Sequence, residues 1–155
     1  MLDPAQRFTH GGWYLLPGPS VPTAEPIHTV ALDDVTEYDY AVVAGAILDV
    51  PGTRCMHPPT PGWDAWVARW ESGRRFIEVD MFPGTDHLFS EASGRFFWSG
   101  GWLRCDCTVG DLADFLRAVR ERCPGVWLCD GGGHAEHGGS RIHTPETFLA
   151  MPALP

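Results

Sequence analysis

No run of apolar residues in the chain approaches the ~20 that a membrane-spanning helix needs. The amino-terminal stretch MLDPAQRFTHGGWYLL has no basic segment leading into a long apolar one. Neither a spanning helix nor a secretory signal is therefore expected. Five cysteines are an odd number, and without a secretory signal they are expected as thiols in a reducing compartment and not as a disulfide framework. No Cys-x-x-Cys pair is present, no Gly-x-Ser-x-Gly elbow, and no lysine closes the glycine tract Gly131 to Gly133. Zinc-knuckle, hydrolase-elbow and P-loop chemistry all lose their usual sequence signal. Repeats, domain linkers and low-complexity tails are missing too.

What is present suits one packed domain. At 155 residues the chain is long enough to bury roughly two thirds of its unfolded surface. Seven Trp and eight Phe argue against disorder, while 18 Gly and 14 Pro promise many turns and short elements. The formal net charge of −9 disfavours nucleic acid, whose phosphates it would repel, and favours a basic protein partner reached by electrostatic steering.

The clearest local signal is CTVGDLADFLRAVRERCPGVWLCD, from Cys107 to Asp130. Thr108 suits an N-cap with Asp111 three residues later, and Leu112, Phe115, Leu116 and Val119 follow at helical spacing. Arginines load the far end, Pro124 and Gly125 stop the helix, and Val126 to Cys129 read as a strand. Upstream, Arg75 to Phe82 alternates Ile77, Val79 and Met81 against Glu78 and Asp80. Asp86 to Ser90 and Arg95 to Trp98 continue an antiparallel meander, which Trp102 and Leu103 extend. Thr60 and Pro61 are expected to start a short helix carrying Trp63, Trp66, Val67 and Trp70 on one face. Between Thr29 and Val50 the pattern predicts a helix over Asp33 to Asp39 and a strand after it, and Pro145 is expected to start a closing helical turn. The fold expected is α+β, an antiparallel sheet of about five strands packed by two or three helices. Residues 1–28, rich in turn formers, are read as an extended arm with a short apolar insert at Trp13 to Leu16, and residues 29–155 as a single domain.

The candidate chemical group is Cys105, Cys107, Cys123, Cys129, His134, His137 and His143, since thiolate and imidazole are usual metal ligands and the flanking glycines would let a loop wrap an ion. Its spacing fits no known frame, and buried cysteine often serves as a small hydrophobe. His28-Thr29 and His143-Thr144 lack the intervening residue of the paired His-x-Thr motif of 2H-type phosphoesterases. No catalytic residue, metal or cofactor is assigned. Asp33, Asp34, Glu37 and Asp39 form the densest acidic run, with Tyr38 and Tyr40 interleaved, a mixture that suits a protein interface.

The strand-rich RRFIEVDMF and RFFWSGGWLRCD, the segment TVGDLADFLRAVRERCPGVWL and the closing IHTPETFL give the chain a resemblance to the small acidic immunity proteins of bacterial polymorphic toxin systems, including contact-dependent inhibition and type VI secretion. The resemblance implies a cytoplasmic protein, without catalysis of its own, that binds a cognate toxin domain and occludes its active site. The expected contacts are Asp33, Asp34, Glu37, Tyr38 and Asp39, with Trp98 and Trp102 as aromatic anchors. The partner is expected to be a basic protein, with no part for nucleic acid or membrane. The competing expectation is a small metal-dependent or thiol enzyme using the Cys/His group.

Overall fold

The alternation over Arg75 to Phe82 sorts side chains as it predicts: Ile77, Val79 and Met81 are fully buried, while Glu78 and Asp80 lie on the opposite face. A computed structural model describes residues 1–18, 38–57, 66–83, 98–130 and 141–154. Within them the chain forms β1 (Arg7–Pro17), α1 (Tyr40–Leu48), β2 (Thr53–His57), β3 (Trp66–Ser72), β4 (Arg75–Pro83), β5 (Trp98–Thr108), α2 (Val109–Arg122), β6 (Val126–Cys129), β7 (Ile142–His143) and α3 (Pro145–Leu149). The strands make one antiparallel sheet in the order β2-β3-β4-β5-β1-β6-β7. The three helices share a single core with the inward face of that sheet. This is one α+β domain, with more strands than expected.

The segment from Cys107 to Asp130 folds as its sequence predicts. Thr108 accepts from the Asp111 amide at 3.0 Å and Asp111 accepts from the Thr108 amide at 2.9 Å, a complete capping box. Leu112, Phe115, Leu116 and Val119 are buried beneath it. Thr144 caps α3 in the same way, with Pro145 in the first turn.

Three expectations are corrected. The first part of the expected arm is β1, an inner strand hydrogen-bonded to both β5 and β6. Gly12 is an extra residue there, since Gly11 opposes Arg104 and Trp13 opposes Leu103, and its φ of 91° is one glycine adopts without strain. The bulge puts Phe8 and Trp13, five residues apart, on one buried face with ring centroids 5.0 Å apart. Plain alternation would have split them.

The segment with Trp66, Val67 and Trp70 is a strand, not a helix, because Ser72 and Arg75 pair across a two-residue turn in which Gly73 takes a φ of 62°. Hairpin pairing with β4 overrides the helical spacing; Trp63 lies outside the described residues. Conversely, Tyr40–Leu48, expected as a strand, is a helix burying Tyr40, Val43, Ala46 and Ile47. A short, wholly apolar run carries no period to separate the two, and its alanines favour the helix. The helix expected over Asp33 to Asp39, the strand expected at Asp86 to Ser90 and the residues from Arg95 up to Trp98 fall, except for Tyr38, Asp39 and Trp98, outside the described residues. Among the described residues no helix is long and apolar enough to cross a membrane.

Candidate functional site at one end of the sheet

The register places the strand ends in two groups. At one end β3 reverses into β4 through Gly73 and Arg74, and β5 runs straight into α2. The amino terminus closes that end: the Gly110 amide donates to the Pro4 carbonyl and the Val109 amide to the Gln6 carbonyl, both at 2.9 Å. At the other end lie Pro17, His57, Trp66, Pro83, Trp98 and Val126. From that end the chain leaves the sheet into residues 19–37, 58–65 and 84–97. Those stretches carry Glu25, Asp33, Asp34, Glu37, Asp64, Asp86 and Glu91 against Arg95. Most of the chain's negative surplus thus belongs to connections that start and finish at one end of the sheet.

Of the expected contacts, Asp33, Asp34 and Glu37 lie outside the described residues. Tyr38 and Asp39 sit at this same end. The Tyr38 carbonyl accepts from the Trp98 amide at 3.0 Å, and the Tyr38 phenol oxygen accepts from the Gly125 amide at 2.7 Å. Burial raises the Tyr38 pKa, and the Gly125 N–H only partly offsets it, so the phenol keeps its proton. Asp39 is exposed and precedes α1 in an extended conformation, its carboxylate making no cap bond.

The two tryptophans part company. Trp98 is 1% exposed and belongs to the core, so it is no surface anchor. Trp98 opposes Pro83 and Gly100 opposes Phe82, which leaves Ser99 as the extra residue of a second bulge. That one residue separates the faces of Trp98 and Trp102. Trp102 is half-buried on the outward face, opposite Asp80 of β4 and Tyr14 of β1. Tyr14, 37% exposed, was not singled out from the sequence. Reading Gly11-Gly12 as a bulge would have put it on the outward face.

Toward the tight end the same outward face becomes polar and internally paired. Arg54 of β2 meets Glu71 of β3 at 3.1 Å, and Arg69 meets both Glu71 and, at 3.2 Å, Glu78 of β4. Glu78 also accepts from Arg104 of β5 at 3.2 Å, and Arg7 of β1 holds Asp106 of β5 through two bonds of 2.9 and 3.0 Å. Arg69 lies over the Phe76 ring, 4.0 Å from its centroid. Each carboxylate here already has its cation.

The Cys/His group is divided by the sheet. Cys105 and Cys107 point inward, both buried, and a thiol–thiol hydrogen bond, burial and mutual charge push the Cys105 pKa well up. Cys123 ends α2 with Sγ 4.0 Å from the Val42 carbonyl, and burial raises its pKa as well. Cys129 faces outward, opposite Tyr14. Raised thiols are poor nucleophiles at neutral pH. His143 Nε2 is 2.9 Å from Asp130 Oδ2, and Asp130 Oδ1 accepts from the Arg141 amide at 2.8 Å, so this buried pair buckles the β6–β7 hairpin. His134 and His137 lie outside the described residues. Among the described residues no three potential ligands come together.

No family model matches the chain, and neither a curated protein nor a solved structure matches it.

Proposed function

We propose that the chain is an immunity-type protein that binds a cognate bacterial toxin domain and blocks its active site with the end of the sheet where Pro17, Pro83 and Trp98 lie. The observation that carries this reading is that three connections, which hold seven acidic residues and one arginine between them, leave and rejoin the described structure at the end where Tyr38 and Asp39 sit, with Tyr14 and Trp102 on the outward face of the adjoining strands. Acidic connections steer a basic partner, and the tyrosines and tryptophan supply contact area that orders at little entropic cost. The ion pairs of the outward face are already satisfied internally, so recognition falls to the residues beyond them. The hydrogen bond from Cys107 and burial raise the Cys105 thiol, burial raises that of Cys123, and Cys129 faces the other side of the sheet, which together weigh against the enzymatic alternative.

The test has two parts: a toxin-domain gene is expected beside this chain's own, and its product is expected to bind the chain in stopped flow across a salt series. Replacing Asp33 and Asp34 by Arg is expected to slow association about tenfold at low salt and to flatten its salt dependence. Unchanged on-rates, or no binding by the parent protein, would remove the proposal.

A further inference from the structure

Arg117 and Arg122 on α2 both meet carboxylates, from Asp114 and Asp49 respectively. Arg120, between them, does not. Its Nη1 donates to the Val126 carbonyl at 2.5 Å, and its Cζ stands 4.9 Å from the centroid of the fully buried Trp127 ring. Among the described residues no carboxylate lies within ion-pair distance of it; Glu146 acts on it only through longer-range charge. Burial pulls the Arg120 pKa below the usual arginine value, a sign that the cation has lost water without gaining a counter-ion. Tyr38 is close enough for the two groups to sense each other's charge. Its phenol oxygen is engaged as an acceptor from Gly125, which leaves the phenol proton to be donated.

We propose that Arg120 and Tyr38 form a receptor for a single carboxylate presented by the protein partner. One nitrogen of the guanidinium is fixed by a backbone carbonyl and its face is laid on Trp127, so its rotamer is set before any ligand arrives. The remaining N–H edge suits a planar, two-oxygen acceptor, and the Tyr38 hydroxyl adds a third donor. A phosphate dianion fits less well, because Glu146 and a chain of net charge −9 oppose a second negative charge. In its identification of the ligand's source this rests on the binding function proposed above. An arginine with no counter-ion among the described residues, on a chain of net charge −9, would fix the register of docking, since a misplaced partner would bring a basic group against it.

The experiment uses the full chain, labelled with nitrogen-15 and titrated with sodium acetate against sodium chloride at matched ionic strength, observing the Arg120 side-chain Nε–H and the Gly125 amide. Acetate is expected to move both signals along a saturating curve that chloride does not reproduce. Arg120→Met is expected to abolish the Gly125 response. Arg120→Lys keeps the charge but not the planar fork, and is expected to weaken acetate at least about fivefold; it carries the test if the Met variant unfolds. Shifts that never saturate, or a Gly125 response that survives in either variant unchanged, overturn the proposal. Tighter binding of inorganic phosphate than of acetate overturns the carboxylate assignment. Because no toxin is needed, failure here leaves the proposed function standing, and failure of toxin binding leaves the anion receptor standing.

Discussion

Where β3 turns into β4 and β5 enters α2, the chain reverses in two residues, and Asp111 alone accepts from the Thr108 amide and from Arg75 of the neighbouring hairpin at 2.9 Å. At the opposite end β1 leads to α1, β2 to β3 and β4 to β5 through residues 19–37, 58–65 and 84–97, and a half-buried arginine has no counter-ion among the described residues. At the first end Asp106 and Asp111 thus have their cations inside the molecule. The other leaves charge and aromatic surface to be matched from outside. The difference is informative because the two ends share strands: β4 and β5 carry the ion-paired Glu78 and Arg104 toward one end and the Asp80 and Trp102 pair toward the other.

The sharpest way to break this comparison is through the two tryptophans of β5. Trp98→Ala empties a fully enclosed site and is expected to cost about 3–5 kcal/mol in urea unfolding. Trp98→Phe is expected to cost much less, since the Trp98 indole N–H has no hydrogen-bond partner among the described residues. Trp102→Ala is expected to leave stability within about 1 kcal/mol of the parent while weakening toxin binding tenfold or more. A Trp98→Ala protein that unfolds at the parental urea concentration would show that the Ser99 bulge does not divide the two faces as described.

A middle-sized effect tests the tight end alone. Thr108→Ala removes half of the capping box and is expected to lower stability by about 1 kcal/mol, with toxin association unchanged. If binding fell in parallel with stability, the two ends would not be separable. The effect should be read from the denaturation midpoint at constant slope.

How far these features were legible follows from the same local physics. The β4 strand, the capping box, the Pro124-Gly125 stop, β6 and α3 were readable because alternation, capping chemistry and helix breakers act within a few residues. β1 and the placement of Trp98 were not, because a single inserted residue at Gly12 or Ser99 reverses which face follows, and the insertion shows only in the register with a partner strand. β3 carried helical aromatic spacing that hairpin pairing overrode. For the candidate site, Tyr38 and Asp39 lie where β5 begins, and Trp102 is half-buried on the outward face of the sheet. Arg120 was hidden among arginines that all read as C-terminal helix charge, and only the carboxylates beside Arg117 and Arg122 set it apart.

The smallest expected effect lies in the outward lattice and is best seen by acid titration. Hydrogen bonding from Arg54 and then Arg69 lowers the Glu71 pKa, and the Arg7 side chain does the same for Asp106. A carboxylate whose folded pKa is depressed adds stability that is present above its unfolded pKa and disappears as pH falls through the folded one. Stability should therefore decline on the acid side of the ordinary carboxylate range and should not change near neutrality on account of these groups. Both carboxylates are solvent-exposed, so added salt should flatten the decline. Glu71→Gln with Asp106→Asn is expected to shrink the same acid-side slope while leaving toxin binding untouched. A double variant that keeps the parental acid profile would mean that the outward ion pairs contribute nothing to holding the strands, and that the rigidity of the tight end comes from the capping box and the buried face alone.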